Sequence, residues 1–275
     1  MVEEKGMSFR EKFDKLSFKT KLPPLGRVAF NMHPTDGPWG GSSIFVLQLA
    51  AFLKWRGFEV TFQLKEGVDL IVLIDPRDDL QKKSFGLPEI LNHKDRYPDT
   101  KIIHRINECD QRKGTKFMDT LLAEANRVAD YTVFISAWLR DYHTGRWFDP
   151  SRSHRVIYNG ADPKIFHPIG NKPYAGKSPF RVVTHHWSDN PMKGFPVYQQ
   201  VDELIHGGEL PDTELWVIGR WPASIHWKSA KTFSATHGLA LAEKLRSCHA
   251  YLTASLWEPC GMHHVEGAQC GLPLI

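Results

Sequence analysis

Two glutamates in the last part of the sequence have the type and spacing to bind a sugar phosphate. Glu258 and Glu266 are separated by seven residues. A strand is predicted to end before Glu258 and a helix to begin near Gly261, where backbone N–H groups without helical partners favour an anion. A carboxylate just before that point can accept hydrogen bonds from sugar hydroxyls, and a second one, two helical turns later, can accept them from both hydroxyls of a ribose. Taken alone, each glutamate is explained as well by a helix-dipole contact or by solvation.

The whole stretch from Glu258 to Ile275 resembles the donor-site signature of the retaining GT-B glycosyltransferases often called family four. That signature runs E-P-x-G, then a helix with a second Glu, then G-x-P and a strand. The resemblance implies that Glu258 binds the donor sugar and that Glu266 binds the nucleotide ribose. It also implies that the diphosphate is bound by the residues that open the helix, Gly261, Met262 and His263.

Two further stretches are similar to signatures of the same family. Gly40 and Gly41 precede an apolar helix that leads into Arg-Gly-Phe-Glu-Val, and glycine suits a loop whose backbone approaches a ligand closely. In the family this loop lines a cleft between domains, so both glycines are candidate donor-binding residues. The run from Asn159 to Pro168 resembles the N-G-x-D-x-x-x-F-x-P segment that closes the N-terminal domain, and its expected role is structural.

The cations expected around the donor diphosphate are only partly present. Many relatives have an Arg, a short loop and then Lys-Gly. Lys193 and Gly194 fit, and an ammonium group at a helix N-terminus adds a full charge to the partial charge there. The expected Arg falls near Trp187, which either shields the site or leaves Arg220, after the strand 215–219, to supply the second cation.

The family often ends one strand of its first domain with a His that faces the donor sugar. Strand 101–106 contains His104, and Asn107 and Glu108 follow it. His104 or Asn107 is therefore a candidate catalytic residue beside Glu258, and a buried core position explains His104 equally well. The pairs His185–His186 and His263–His264 match no zinc-site spacing, and neighbouring strand residues point to opposite faces, so no metal site is predicted.

Strands and helices alternate along the chain around these motifs, which predicts doubly wound parallel sheets. Apolar runs predict strands at 27–31, 69–75, 101–106, 131–135 and 156–158, and helical periodicity predicts helices at 43–56 and 117–129. The pattern restarts after a proline-rich stretch, with strands at 181–185, 215–219 and 251–254 and helices at 194–205, 239–246 and 263–270. Four segments are predicted: an N-terminal extension (1–24), an acceptor-side Rossmann-like domain (25–165), a linker (166–179) and a truncated nucleotide-sugar-binding domain (180–275).

Composition and charge exclude several classes of protein. The net charge of +4 is not concentrated in any Lys/Arg block, so no nucleic-acid partner is expected. No apolar run is long enough to cross a membrane, and the charged N-terminal residues do not form a signal peptide, so a cytoplasmic location is expected. Residues 8–18 could form an amphipathic helix that packs on the domain or contacts a membrane peripherally. The four cysteines include no C-x-x-C pair and are expected to be reduced.

Together, the residues and the resemblance predict an α/β protein of GT-B architecture, with two Rossmann-like domains facing a cleft and the second domain incomplete. The implied reaction transfers a sugar from a nucleotide diphosphate sugar to the hydroxyl of a glycan, a glycolipid or a small molecule. It retains anomeric configuration and uses neither a cofactor nor a metal. A nucleotide-sugar-binding module without turnover and a sugar-nucleotide epimerase are the alternatives. Donor base, donor sugar, acceptor and oligomeric state are left open.

Overall fold

The computed structural model describes residues 23–35, 37, 40–77, 84–177 and 179–275. Contacts within the chain divide it into two compact units. The first comprises residues up to Asn107 and Phe117–Ile157, and the second comprises Glu108–Lys116 and Tyr158–Ile275. The helix expected over residues 8–18 lies outside the described residues. Within them, no helix has the length and apolar character that a membrane crossing requires.

The first unit is built on a six-stranded parallel sheet with the order β2-β1-β3-β4-β5-β6. Its strands are β1 (Arg27–Phe30), β2 (Glu59–Thr61), β3 (Leu70–Leu73), β4 (Lys101–Ile106), β5 (Tyr131–Phe134) and β6 (His154–Val156). Apolar runs such as Leu-Ile-Val-Leu in β3 are buried, as expected for a parallel sheet covered on both faces. The chain adds β2 on one side of β1 and β3 on the other, so the order switches direction between β1 and β3.

Helices connect most of the successive strands of this sheet, although none lies between β2 and β3. They are α1 (Gly41–Trp55), α2 (Leu87–Arg96), α4 (Met118–Asn126) and α5 (Ala137–Thr144), whereas the short α3 (Asp110–Lys113) belongs to the second unit. Ser136 caps α5, because its Oγ accepts a hydrogen bond of 3.1 Å from the amide of Leu139. The core of the unit includes Ile71, Ile102 and Ala125.

The second unit has a four-stranded parallel sheet with the order β10-β7-β8-β9. Its strands are β7 (Phe180–His186), β8 (Thr213–Gly219), β9 (Lys231–Phe233) and β10 (Ala250–Tyr251), and its helices are α6 (Phe195–His206), α7 (Gly238–Arg246) and α8 (Met262–Gln269). Leu274 forms a parallel bridge to Tyr251, where the sequence predicts that a new strand opens. The chain adds β8 and β9 on one side of β7 and β10 on the other. Sheets of this kind bind ligands at the carboxyl ends of the strands where the order switches, here β7 and β10.

The second unit begins earlier than the predicted boundary at residue 165. Asn159 donates a hydrogen bond of 2.9 Å from Nδ2 to the carbonyl of Cys260, and the amide of Ala161 donates one of 3.1 Å to Gln269. Phe166 is buried in the core of the same unit, beside Val183. The segment expected to close the first domain is therefore packed on the second unit.

Candidate functional site

The loops that follow β7 and β10 bring together the predicted site residues of the second unit. The loop after β7 leads to a turn of 3₁₀-helix, Pro191–Lys193, and the loop after β10 leads to Glu258. The amide of Leu256 donates a hydrogen bond of 2.8 Å to the carbonyl of Met192, which ties the two loops to each other. Lys193 and Glu258, 65 positions apart in the sequence, therefore lie side by side at the point where the strand order switches.

Glu258 accepts contacts from two cationic side chains. Lys193 Nζ lies 2.6 Å from Glu258 Oε2, and Arg112 Nε lies 3.4 Å from Glu258 Oε1. The exposed fractions of the three side chains are only 5% for Lys193, 11% for Arg112 and 10% for Glu258. Burial opposes ionisation of Glu258, but the charges of Lys193 and Arg112 outweigh it and lower the pKa of the carboxyl. Burial lowers the pKa of Lys193, Glu258 opposes this shift, and Arg112 adds to it.

Two glycines allow close packing where α6 and α8 begin. Gly194 has φ 78°, and a Cβ there would lie 2.0 Å from the carbonyl oxygen of Ala254. A Cβ at Gly261 would lie 2.7 Å from Glu258 Cγ, so glycine lets the Glu258 side chain lie directly over the start of α8. Trp257, immediately before Glu258, has φ 51°, a conformation that is uncommon for a bulky residue. Backbone strain of this kind is frequent at functional sites.

Glu266 lies on α8, one side of which faces β7. Its Oε2 is 2.9 Å from His185 Nε2, and both side chains are buried. Gly267 makes the packing of α8 on the sheet possible, because a Cβ there would lie 2.6 Å from the ring of Tyr251. The hydrogen bond from His185 fixes the Glu266 carboxylate in one orientation.

Three further imidazoles interact electrostatically with the Lys193–Glu258 pair. His186 Nε2 lies 3.0 Å from the hydroxyl of Tyr198, His263 Nε2 lies 3.3 Å from Ser255 Oγ, and His264 Nε2 lies 2.6 Å from Thr253 Oγ1. Burial, followed by the charge of Lys193, lowers the pKa of His186 and of His263 well below the usual value. The rings of His186 and His263 are therefore neutral at pH 7 and add no charge beside Lys193 and Glu258.

The first unit contains the predicted site residues Gly40, Gly41 and Asn107. Gly40 caps α1 and Gly41 is its first residue. Asn107, just beyond the end of β4, donates a hydrogen bond of 2.8 Å from Nδ2 to the hydroxyl of Ser42. The fold thus brings the glycine loop and the end of β4 together, as a ligand site built from these residues requires.

His104 is placed elsewhere. It is fully buried inside the sheet, and its Nδ1 lies 3.2 Å from Asn126 Nδ2. Burial lowers the pKa of the imidazole to about 3. This environment favours the core-histidine alternative for His104 over a role in ligand contact.

Of the two arginines Arg220 and Arg112, the one that the sequence analysis did not select contacts Glu258. Arg220 is exposed at the end of β8, where its amide donates a hydrogen bond of 2.8 Å to the carbonyl of His186. Arg112, which sequence reasoning passed over, makes the contact with Glu258. Its position within the predicted first domain hid it, and the only signal was its location shortly after the carboxyl end of β4. Among the described residues, no group of three or more His, Cys, Asp or Glu side chains is arranged to hold a metal ion.

No protein-family model matches the chain, and no curated protein has a significantly similar sequence. Solved structures nevertheless share its fold. HepE of Anabaena, solved with UDP and glucose, is 14% identical, with a TM-score of 0.59 over 90% of this chain and 79% of HepE. WaaG, a glycosyltransferase of lipopolysaccharide biosynthesis, is 15% identical, with a TM-score of 0.58 over 90% of this chain and 80% of WaaG.

A Listeria monocytogenes protein provisionally assigned as a UDP-N-acetylglucosamine 2-epimerase is also 15% identical, with a TM-score of 0.51 over 90% of this chain and 78% of its own. At such identities the likeness concerns the fold alone. It confirms the predicted fold class: the chain consists of two Rossmann-like α/β units of the kind found in GT-B glycosyltransferases.

Proposed function

We propose that this protein transfers a glycosyl unit from a nucleoside diphosphate sugar to an acceptor hydroxyl, with the donor bound at the second unit. The observation that carries the proposal is the buried Lys193–Glu258 pair, which lies over the start of α8 at the switch point of the sheet. A cation and a helix N-terminus at one place favour an anion, and a carboxylate beside them can bind sugar hydroxyls.

The diphosphate of the donor would lie between Lys193 and the first amides of α8, those of Gly261, Met262 and His263. The first amides of a helix have no partner within it and point towards such an anion. The diphosphate gains negative charge as its bond to the sugar breaks, and donors that are already oriented stabilise that charge without rearranging. This is the chemical contribution that we assign to the cluster.

The two glutamates would divide the rest of the donor. Glu258 would accept hydrogen bonds from the sugar ring, and Glu266, oriented by His185, would accept them from the ribose. We further propose that the reaction retains anomeric configuration, needs no divalent metal and takes place in the cytoplasm, on an acceptor that is a glycan, a glycolipid or a small molecule. HepE was solved with UDP, so UDP and UDP-glucose are the first ligands to test.

The proposal is tested first by binding. Thermal shifts with UDP, GDP, ADP and their sugar derivatives, in the presence and absence of EDTA, identify the donor base. A ligand at 100 times its dissociation constant stabilises the folded state by about 2.7 kcal/mol. We expect one base to stabilise the protein equally with and without EDTA. Absence of stabilisation by any nucleoside diphosphate would contradict the proposal, and loss of stabilisation in EDTA would contradict its metal-independent form.

Turnover separates the enzyme from a binding module. The Glu266→Ala variant loses ribose contacts that exist in ground and transition states alike, so mainly KM for the donor should rise. The Glu258→Ala variant loses contacts to a ring whose geometry changes during reaction, so mainly kcat should fall. The measurement is release of nucleoside diphosphate at varied donor concentration. A wild-type protein that binds the donor and releases no diphosphate with any acceptor or with water would be a binding module.

A further inference from the structure

The segment Glu108–Lys116 connects two elements of the first unit and yet belongs to the second. Within it, Cys109 caps the short helix α3, because its Sγ accepts a hydrogen bond of 3.4 Å from the amide of Arg112. Gly114 ends α3 with φ 67°. The turn at each end of α3 thus fixes the backbone from which Arg112 reaches Glu258.

Arg112, Lys193 and Glu258 together carry surplus positive charge. One carboxylate neutralises one of two cations, and all three side chains are largely removed from water. Glu108 acts on Lys193 and also lies 3.1 Å from Lys113, so the three cations and two carboxylates of this group still carry one net positive charge. A buried charge without compensation is costly, and an anion with two or more negative charges would relieve that cost.

We propose that Arg112 is the second cation that binds the diphosphate of the donor, and that Glu258 occupies both cations until the diphosphate takes its place. The inference rests on the proposed function and adds to it a binding residue and an exchange of partners. The carboxylate released from Lys193 and Arg112 then becomes available to the sugar hydroxyls. One group would thus hold the site together when it is empty and contact the sugar when it is filled.

The geometry favours such an exchange. The Arg112 contact, at 3.4 Å through Nε, is long for a hydrogen bond and is mainly electrostatic, whereas the Lys193 contact is short, at 2.6 Å. A guanidinium group offers donors in a planar fork that matches phosphate oxygens. Arg220 is less suited, because it is exposed to solvent, whereas the Arg112 side chain is only 11% exposed and lies beside Glu258.

The first test compares UDP with uridine by calorimetric titration, using the preferred base if the panel selects another. The Arg112→Ala variant should bind UDP at least about tenfold more weakly, since a charge-assisted contact is lost, and should bind uridine unchanged. Arg112→Lys should recover part of the affinity. Lys116→Ala removes an exposed cation from the same segment and serves as the matched control, with both affinities unchanged.

A purely structural Arg112 would give a different result. Its removal would then weaken UDP and uridine binding by the same factor, and that outcome overturns the inference while leaving the proposed function intact. A loss of UDP affinity in Arg220→Ala but not in Arg112→Ala would also overturn it. A wild-type chain that binds neither UDP, GDP nor ADP would overturn both proposals.

The exchange of partners also predicts that a substitution at Glu258 changes UDP affinity in the opposite direction to Arg112→Ala. Glu258→Gln keeps the size of the side chain and removes the negative charge that competes for the two cations. UDP should therefore bind severalfold more tightly to this variant, while turnover of the UDP-sugar falls. Unchanged or weaker UDP binding in a variant that melts like wild type would show that Glu258 does not compete with the diphosphate.

Discussion

Lys193 carries its charge on a side chain that is only 5% exposed, which is uncommon for a lysine. If its ammonium group binds the diphosphate, Lys193→Ala should weaken UDP binding by about 1.5–3 kcal/mol, the value of a hydrogen bond to a charged group. Titration calorimetry measures this loss. Lys164→Ala, which removes an exposed lysine of the same unit, is the control and should bind UDP like wild type.

The protonation of Lys193 should also be visible in the binding of UDP. Burial lowers its pKa from the usual 10.5, with Arg112 adding to this effect and Glu258 opposing it. A lysine loses its charge as pH rises through its pKa, so UDP affinity should fall in alkaline solution at a lower pH than an ordinary lysine would produce. The Lys193→Arg variant should remove this alkaline fall, because a guanidinium stays protonated. A wild-type affinity that stays constant up to pH 10.5 would contradict the assignment.

The sequence analysis selected some of the residues that meet in the second unit and missed others. Glu258, Lys193 and Gly261 were singled out as candidates because their motifs resemble family signatures, and the fold places Lys193 beside Glu258. Arg112 was not, because its contact with Glu258 spans 146 positions and depends on a path of the chain that no local pattern encodes. His104 showed the opposite problem: its residue type suggested chemistry, while the neighbouring strands bury it completely.

Among the helices, the start of α6 depends on glycine in a way that can be measured. Gly194 and Gly208 have nearly the same φ, 78° and 80°, but a Cβ would meet the Ala254 carbonyl at 2.0 Å in the first case and nothing within 4 Å in the second. Gly208→Ala should therefore cost only the backbone strain, about 1–2 kcal/mol of unfolding free energy. Gly194→Ala must in addition displace the loop after β10, so its cost should be clearly larger.

Urea denaturation of both variants gives these free energies, and UDP titration of the folded variants adds a second readout. Because the loop displaced by Gly194→Ala leads to Glu258, this variant should also lose UDP affinity, whereas Gly208→Ala should keep it. Equal costs for the two substitutions would show that the loop yields freely and does not hold Glu258 in place.

Most elements were predicted from the sequence because apolar periodicity reports burial directly. Strand β4 has the predicted bounds, Lys101–Ile106. By contrast, the strand expected at residues 156–158 forms two residues earlier, as His154–Val156, because its partner β5 sets the register and its own sequence is largely polar. Helix α2 was not predicted, since few of its residues are apolar and only Ile90 and His93 are buried.

Across the whole molecule, buried imidazoles should make the free energy of unfolding decrease as pH falls. Burial lowers the pKa of His104 to about 3 and places those of His186 and His263 well below the usual 6.5. In the folded chain these rings stay neutral as pH falls below 6.5, while in the unfolded chain they bind protons. The unfolded state then binds more protons, so stability decreases with falling pH, by about 1 kcal/mol per pH unit for each such ring.

Urea denaturation at intervals between pH 7.5 and 5 measures this slope. His104→Asn should reduce the slope whatever it does to the overall stability, because one buried ring no longer titrates. His226→Gln, at an exposed position, is the control and should leave the slope unchanged. A wild-type stability that is flat over this range would contradict the neutral, buried state of the three histidines.

The sequence predicted two units, but it did not predict which segments of the chain belong to each. Proline and glycine after residue 162 mark a change of composition, whereas the fold assigns residues by contact and places Tyr158 and Glu108–Lys116 in the second unit. Long-range hydrogen bonds determine which unit a segment joins. The bond from Asn159 to Cys260, for example, links positions 101 apart in the sequence.

Glu108–Lys116 belongs to the second unit although the residues on both sides of it belong to the first, and this limits where the gene can be cut to make chimaeras. A gene fragment that begins at Tyr158 encodes the second sheet and all of its helices except α3, so it lacks Arg112. A chimaera that grafts this fragment onto a related first half therefore inherits Lys193 and Glu258 but takes whatever residue its new host supplies opposite Glu258. A single crossover at Tyr158 would therefore separate Arg112 from Glu258, whereas a graft that also carries Glu108–Lys116 would keep the two together.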